Sequence, residues 1–234
     1  MIRKFANKLG FDIVRFIPEH AGKNPFVDMR TFLHDDQPVI FDVGANLGQS
    51  IQRFNFVFPE ATIHSFEPSP TTFDRLVRQA ADIEGVHLWN FALGASPGEM
   101  TFLENSHSDM SSFLPLSDLG WGEITKETPV EVRTIDAFIE QEAIERIDIL
   151  KSDTQGFDLE VFKGAERAMA MNRIGLIYFE IIFAEQYQQL PSFSEIFEFL
   201  TQRDFKLVSF YKIYYQRKLA GWTDALFVHT SYIR

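Results

Sequence analysis

Cysteine is missing from this sequence altogether. Its absence excludes disulfides, thiolate metal sites and a cysteine nucleophile, and it agrees with a reducing, cytoplasmic setting. Long apolar runs are missing too. The N-terminus, MIRKFANKLGFDIVRFIPEH, begins basic but lacks a continuous apolar stretch, so a secretory signal is not expected. The most apolar later segment, Ile174 to Ala184, is too short to span a bilayer and contains Glu180. Basic residues are in deficit: 22 Lys and Arg against 33 Asp and Glu leave a net charge of −11. An acidic surface offers neither nucleic acid nor an anionic membrane a favourable field. No internal repeat or low-complexity linker interrupts the chain. The signatures of zinc proteases, α/β-hydrolases and P-loop proteins are also absent.

What is present is an ordinary globular composition. The 234 residues are 45% apolar and 24% charged, enough for one α/β domain with its own core. Phenylalanine is over-used, with 25 residues, which suits an aromatic-rich interior better than a ligand cage.

The order of elements follows from the pattern. Phe5, Leu9, Ile13, Val14 and Phe16 recur at helical spacing, predicting an amphipathic leading helix over residues 3–16 that Pro18 ends. Residues 1–36 read as an N-terminal helical extension, and 37–234 as the main domain. Val39 to Val43 is a short apolar run of the kind expected for a buried parallel strand. A glycine turn, a helix over 49–58, a strand over 62–67, a helix over 71–81 and a strand over 86–91 follow. This alternation predicts a mostly parallel sheet with helices on both faces. Glu99–Leu103 and Val130–Arg133 read as strands added at the sheet edge. The polar segment between them reads as a loop over a binding cleft. The alternation resumes with a helix over 135–144 capped by Thr134, a strand over 147–150, a helix over 159–171, a strand over 174–182 and a helix over 192–202. Two closing strands, Lys206–Tyr215 and Ala225–Tyr232, have a short connection and are expected to pair antiparallel.

Two features of the first half point to a ligand. The turn after the first strand is where an open parallel sheet accepts a nucleotide-like molecule. Here Asp42 closes the strand, and Gly44 and Gly48 frame the turn. Glu67, followed by Pro68, ends the next strand about twenty residues on, where an acid typically accepts ribose hydroxyls. A dinucleotide needs a Gly-x-Gly-x-x-Gly cradle for its pyrophosphate. Asn46 and Gln49 stand at its second and third glycine positions, so a nicotinamide oxidoreductase is disfavoured. S-adenosylmethionine has the same nucleoside without the phosphates. Its ammonium would favour Asp42, and its carboxylate the N–H groups at the following helix start.

These motifs resemble those of the FkbM family of methyltransferases. The resemblance rests on Val39–Gln49 (VIFDVGANLGQ), Phe66-Glu67-Pro68, Asn90–Gly94 (NFALG), Thr134-Ile135-Asp136, Ile147–Ala165 (IDILKSDTQGFDLEVFKGA) and Trp222–Phe227 (WTDALF). It runs in order over about residues 39–228 and implies a Rossmann-like class I methyltransferase fold with an antiparallel C-terminal strand. It further implies S-adenosylmethionine as methyl donor, S-adenosylhomocysteine as product, and a hydroxyl acceptor on a small molecule or glycan. Asn90, Ala92 and Leu93 would form the adenine wall. The chain departs from the family pattern at Ser152, where an aliphatic residue is common, and at Phe157-Asp158, where a small residue and Glu are common. Both changes fall near the expected reaction centre.

Methyl transfer is an in-line displacement, so the protein mainly aligns the partners and accepts a proton. Asp153, at the carboxyl edge of its strand, is the first candidate base. Glu180 is the second, because a carboxylate in so apolar a strand needs a partner or a cleft. Lys151 could pair with either acid or touch an acceptor. Asp153 and Glu180 are a thin ligand set for a divalent cation, so no metal is predicted. His64 reads as structural and His107 as a surface residue. The alternative to an enzyme is a binding module that kept the fold without turnover.

Overall fold

The computed structural model describes residues 21–33 and 35–233. The expected helix over 3–16 lies outside them. The described chain opens with helix α1 (Pro25–Phe32), capped by the Asn24 side chain. Then come β1 (Val39–Val43), α2 (Gln49–Val57), β2 (Thr62–Phe66), α3 (Pro70–Ala80), β3 (Val86–Trp89), β4 (Ala92–Leu93), β5 (Gly98–Asn105) and β6 (Ile124–Arg133). The second half holds α4 (Ile135–Gln141), β7 (Ile147–Ser152), α5 (Asp158–Lys163), α6 (Glu166–Ala170), β8 (Ile174–Ile182), α7 (Phe193–Thr201), β9 (Phe205–Phe210), β10 (Tyr214–Gln216) and β11 (Leu219–His229).

Eight strands form the main sheet. Its order is β10-β11-β8-β7-β1-β2-β3, with β9 also on β11. The five strands from β8 to β3 run parallel, and β11 enters antiparallel between β8 and the β9/β10 pair. Successive strand residues pack to opposite sides, as the two-residue period requires. Phe41, Leu150, Ile177 and Phe227 join one core with residues of α4 to α7. Their neighbours Ile40, Ile149, Leu176 and Leu226 join another with α1, α2 and α3. Helices therefore cover both faces. Phenylalanine supplies much of the first core: Phe138 alone meets Phe41, Phe66, Phe91 and Trp89 at 5.0–5.8 Å. Helix α1 belongs to this body, because Met29 is fully buried and Phe26 packs edge-on against Phe54 at 5.1 Å.

Three expectations are corrected. The 99–103 and 130–133 strands do not extend the main sheet; with β4 they make a separate sheet, ordered β4-β6-β5. The chain leaves β3 after Trp89, and Ala92-Leu93 pair with Val132-Arg133 instead. The helix expected over 159–171 is two. Gly164 passes so close to Gly94 that a Cβ there would lie 2.1 Å from the Gly94 carbonyl oxygen. The Asp136 carboxylate then accepts the Arg167 and Ala168 N–H groups at 2.9 and 2.8 Å, starting a second helix. The C-terminal pair is three strands, since a break over 211–213 separates β9 from β10.

Candidate active site

The carboxyl ends of the parallel strands open into one cavity of about 520 Å³. Backbone bonds lace its floor: Gly44 and Ala45 N–H donate to the Phe66 carbonyl, Glu67 N–H to Trp89, and Asp153 N–H to Val43, all at 3.0 Å. Gly44 sits at φ +73°, and a Cβ on it would stand 2.0 Å from the Asp153 carbonyl oxygen. Only glycine fits that crossing. Asn46 holds φ +47°, a left-handed conformation that asparagine tolerates better than most residues.

Glu67 is buried beneath this turn. Its carboxylate accepts the Asn46 N–H at 3.0 Å and the Ser69 N–H at 2.9 Å. Burial pushes its pKa up to about 7, against the pull of those two bonds. Asn90 does not reach the cavity as expected of an adenine-wall residue. Its amide donates to the Glu67 and Pro68 carbonyls, fixing the loop that carries the acid. Phe91, Ala92 and Leu93 form the apolar wall there.

Four more expected residues lie off the cavity. Asp42 is fully buried, and its carboxylate pairs with the Lys151 ammonium at 2.8 Å. Strand register sets them side by side. Lys151 also donates to the Val43 and Gly44 carbonyls at 3.3 and 3.0 Å, so its three hydrogens are engaged and it presents none to an acceptor. Burial acts to depress its pKa, but Asp42 and Asp153 outweigh that and hold it raised. The pair ties β1 to β7 beneath the turn. Gly48 closes the turn through its N–H to the Ala45 carbonyl at 2.8 Å, and Gln49 opens α2; neither lines the cavity.

Asp153 and Glu180 do face it, together with Gly44, Asn46, Glu67 and Pro68. The Gln155 amide donates to Glu180 at 3.0 Å and to Asp153 at 3.2 Å, bridging the two acids. Tyr187 donates its hydroxyl to the Gln155 side-chain Oε1 at 2.9 Å. Burial, then the charges of Asp153, Asp224 and Asp158, raise the Glu180 pKa well above the usual carboxylate range. Among the described residues no group of three or more His, Asp or Glu side chains converges in a way that could hold a metal ion.

The departures at Ser152 and Asp158 are one pair. Ser152 donates to the Asp158 carboxylate at 2.6 Å, and Thr154 N–H adds a bond at 3.3 Å. Both side chains are buried and lie off the cavity. Only Phe157 reaches it, packed at 4.7 Å on Phe113. His64 is structural: it stacks on His87 at 4.9 Å, takes a bond from Trp89, and burial followed by the His87 charge lowers its pKa to about 4.

The 106–123 segment covers the cavity, contributing His107 to Ser111, Phe113 and Trp121. It is anchored on Asn105, whose amide donates to the Trp121 carbonyl at 2.9 Å and accepts the His107 N–H at 2.9 Å. It is also anchored on residues 185–188, through Ser117 N–H to Gln186 and Gln188 N–H to Pro115. Sequence reasoning named the loop and the polar Thr154-Gln155-Gly156 turn beside Asp153, but did not single out Trp121, Gln186 or Trp222, which only the topology brings to this end.

The donor set fits S-adenosylmethionine. Asn46 Oδ1 and Thr154 Oγ1 are buried without a partner, and both residues line the cavity beside the Gly44 crossing. Polar atoms so placed need a bound polar group. Glu67 can accept ribose hydroxyls, and the Phe91 to Leu93 wall can receive adenine.

The chain is similar to known methyltransferases in sequence and in fold. The family model for the methyltransferase FkbM domain matches residues 42–207. The 2-O-methyltransferase NoeI of Sinorhizobium fredii is 27% identical over 173 residues, covering 69% of this chain and 70% of its own. The hexuronic acid methyltransferase AglP of Haloferax volcanii is 26% identical over 161 residues, covering 68% of this chain and 57% of its own. An rRNA methylase from Streptococcus thermophilus shares the fold at a TM-score of 0.50 and 12% identity, over 87% of this chain and 93% of that one. SMU.1697c from Streptococcus mutans, solved in complex with SAH, does so at 0.50 and 11%, over 89% and 99%.

Proposed function

The chain belongs to the FkbM family of methyltransferases, and from that premise we propose that it transfers a methyl group from S-adenosylmethionine to a hydroxyl oxygen of a small molecule or glycan. One observation carries the reading: a carboxylate of strongly raised pKa, Glu180, faces the same cavity as the Glu67 acid and the Gly44 turn. The name of NoeI, a 2-O-methyltransferase, supports an oxygen acceptor, and that of AglP, a hexuronic acid methyltransferase, supports a carbohydrate one.

Bound S-adenosylmethionine supplies an electrophilic methyl on a sulfonium that leaves as a neutral thioether. The residues of the chain do the rest. Glu67 would hold the ribose, and Asn46, Thr154 and Asp153 the polar methionine end. Glu180 would take the acceptor's proton as its oxygen forms the new C–O bond and the S–C bond breaks. Gln155 positions Glu180 against Asp153, and the Asp42–Lys151 pair positions the turn beneath them. The covering segment excludes water from the reaction. Residues 37–234 would make up the methyltransferase domain, with α1 packed on it from the N-terminal side. The net charge of −11 weighs against a polyanionic acceptor such as nucleic acid.

Calorimetry with S-adenosylmethionine and S-adenosylhomocysteine tests the donor. Turnover on pooled sugars, glycolipids and polyketides, read by mass spectrometry, tests the acceptor. Binding of neither molecule by folded protein would sink the proposal. Binding without turnover on any acceptor would favour a non-catalytic module.

A further inference from the structure

The cavity has two properties that the methyltransferase reading does not require. The first is an aromatic wall. Trp121, from the covering segment, and Trp222, from β11, both line the cavity and meet edge to face at 5.5 Å. Tyr214 stacks flat behind Trp222 at 5.2 Å with rings 8° apart. Trp121 is 44% exposed although its backbone is fixed through Asn105. Gly122 sharpens that fixation: it holds φ +76°, and a Cβ there would strike Asn105 Oδ1 at 2.1 Å. An indole held rigid yet left open costs little entropy to use as a contact surface.

The second property is charge. Glu67, Asp109, Asp153 and Glu180 line the cavity, and among the described residues that line it there is neither lysine nor arginine. Lys151 lies beneath the floor on Asp42. Lys212 sits over the Tyr214 ring at 4.5 Å and does not line the cavity. An anionic group entering here would meet acids and no cation in a partly desolvated space, which selects against it.

Resting on the methyltransferase reading, we propose that Trp121 and Trp222 form the acceptor subsite and that the acceptor is a pyranose bearing no anionic substituent. The C–H face of a pyranose is apolar and matches an indole, while its equatorial hydroxyls point sideways. Polar groups stand ready on those sides: Gln186, His107 and Ser108 all line the cavity. A ring on this wall presents one hydroxyl toward Glu180. The specificity thus differs from that named for AglP, whose acceptor is a hexuronic acid.

The test titrates S-adenosylhomocysteine-saturated protein with methyl glycosides of a hexose, a hexosamine and a hexuronic acid, and with an open-chain hexitol. Tryptophan fluorescence is the readout, since two of the three tryptophans form the subsite. The hexose and hexosamine should shift the emission and bind at least about tenfold more tightly than the hexuronide and the hexitol. Trp222→Ala should weaken pyranoside binding by about tenfold while the affinity for S-adenosylhomocysteine stays unchanged. Trp121→Ala, on the covering segment, serves where Trp222→Ala disturbs the fold. Equal or tighter binding of the hexuronide, an unchanged emission with every pyranoside, or full binding in both variants would overturn the proposal. Failure to bind S-adenosylhomocysteine at all would instead overturn the methyltransferase reading.

Discussion

Glu67 and Asn46 are joined across the mouth of the first two strands: the Asn46 N–H donates to Glu67 Oε2 at 3.0 Å. Ser69 N–H occupies the other oxygen. The acid therefore shapes the glycine turn and also faces the cavity. Burial sets its pKa near 7 in the free protein. Ribose hydroxyls would donate to the carboxylate, so binding selects the deprotonated form. Affinity for S-adenosylhomocysteine should be flat above pH 7. It should fall below pH 7, approaching about tenfold per pH unit for one coupled proton. The stability of the free protein should follow the opposite trend. A folded-state pKa above the unfolded value means stability lost as pH rises from about 4.5 through 7. Calorimetry from pH 5.5 to 8.5 measures the first effect; pH-independent affinity would refute it.

The Gly44 crossing supplies a second prediction. Gly44→Ala combines a left-handed φ of +73° with a Cβ 2.0 Å from the Asp153 carbonyl. Strain of about 1–3 kcal/mol and overpacking of similar size should add. The backbone of 44 or 153 must move, and Asp153 with it. Denaturant unfolding should show the stability loss, and affinity for S-adenosylhomocysteine should fall by more than the stability change alone explains. Wild-type affinity would mean the crossing does not position the site.

Much of this frame was legible before the structure. Short apolar runs bounded by turn residues located the parallel strands, and the rule that ligands bind at strand carboxyl ends selected Gly44, Glu67 and Asp153. What escaped was set by register and topology. Asp42 reads like a ligand because it ends a strand, yet its carboxylate is spent on Lys151, its neighbour across β1 and β7. Asn90 reads like an adenine contact, yet its amide holds the Glu67 loop. Trp121 and Trp222 are far apart in sequence and meet only because β11 inserts beside β8 under the covering segment. No local pattern carries such information.

Ser152 and Asp158 show how two departures from a family pattern can be one. The buried acid depends on the Ser152 hydroxyl at 2.6 Å and on Thr154 N–H. Ser152→Ala leaves that carboxyl short of a donor and should cost about 1–3 kcal/mol. Pairing it with Asp158→Leu should cost less than the two single changes summed, because the second change removes the stranded group. A double-mutant cycle by urea unfolding measures this coupling; additive losses would show that the pair is not the reason for the two changes.

Glu180 decides whether the cavity is chemical or merely receptive. Its charged form is opposed by burial and by Asp153, Asp224 and Asp158, and the Gln155 amide favours it. A base must be deprotonated to act. Since its folded pKa is raised, activity should climb with pH well past the range where an ordinary carboxylate is fully ionised. Glu180→Gln removes the base and keeps the shape, so kcat should drop by about 10²–10⁴ while affinity for S-adenosylhomocysteine holds. Gln155→Leu should raise the pH midpoint further, because it removes the donor that favours the ionised form. That shift separates positioning from bulk damage, which would lower the whole profile without moving it. Should Glu180→Gln retain its rate, Asp153 becomes the proton acceptor, and Asp153→Asn should then lower kcat instead.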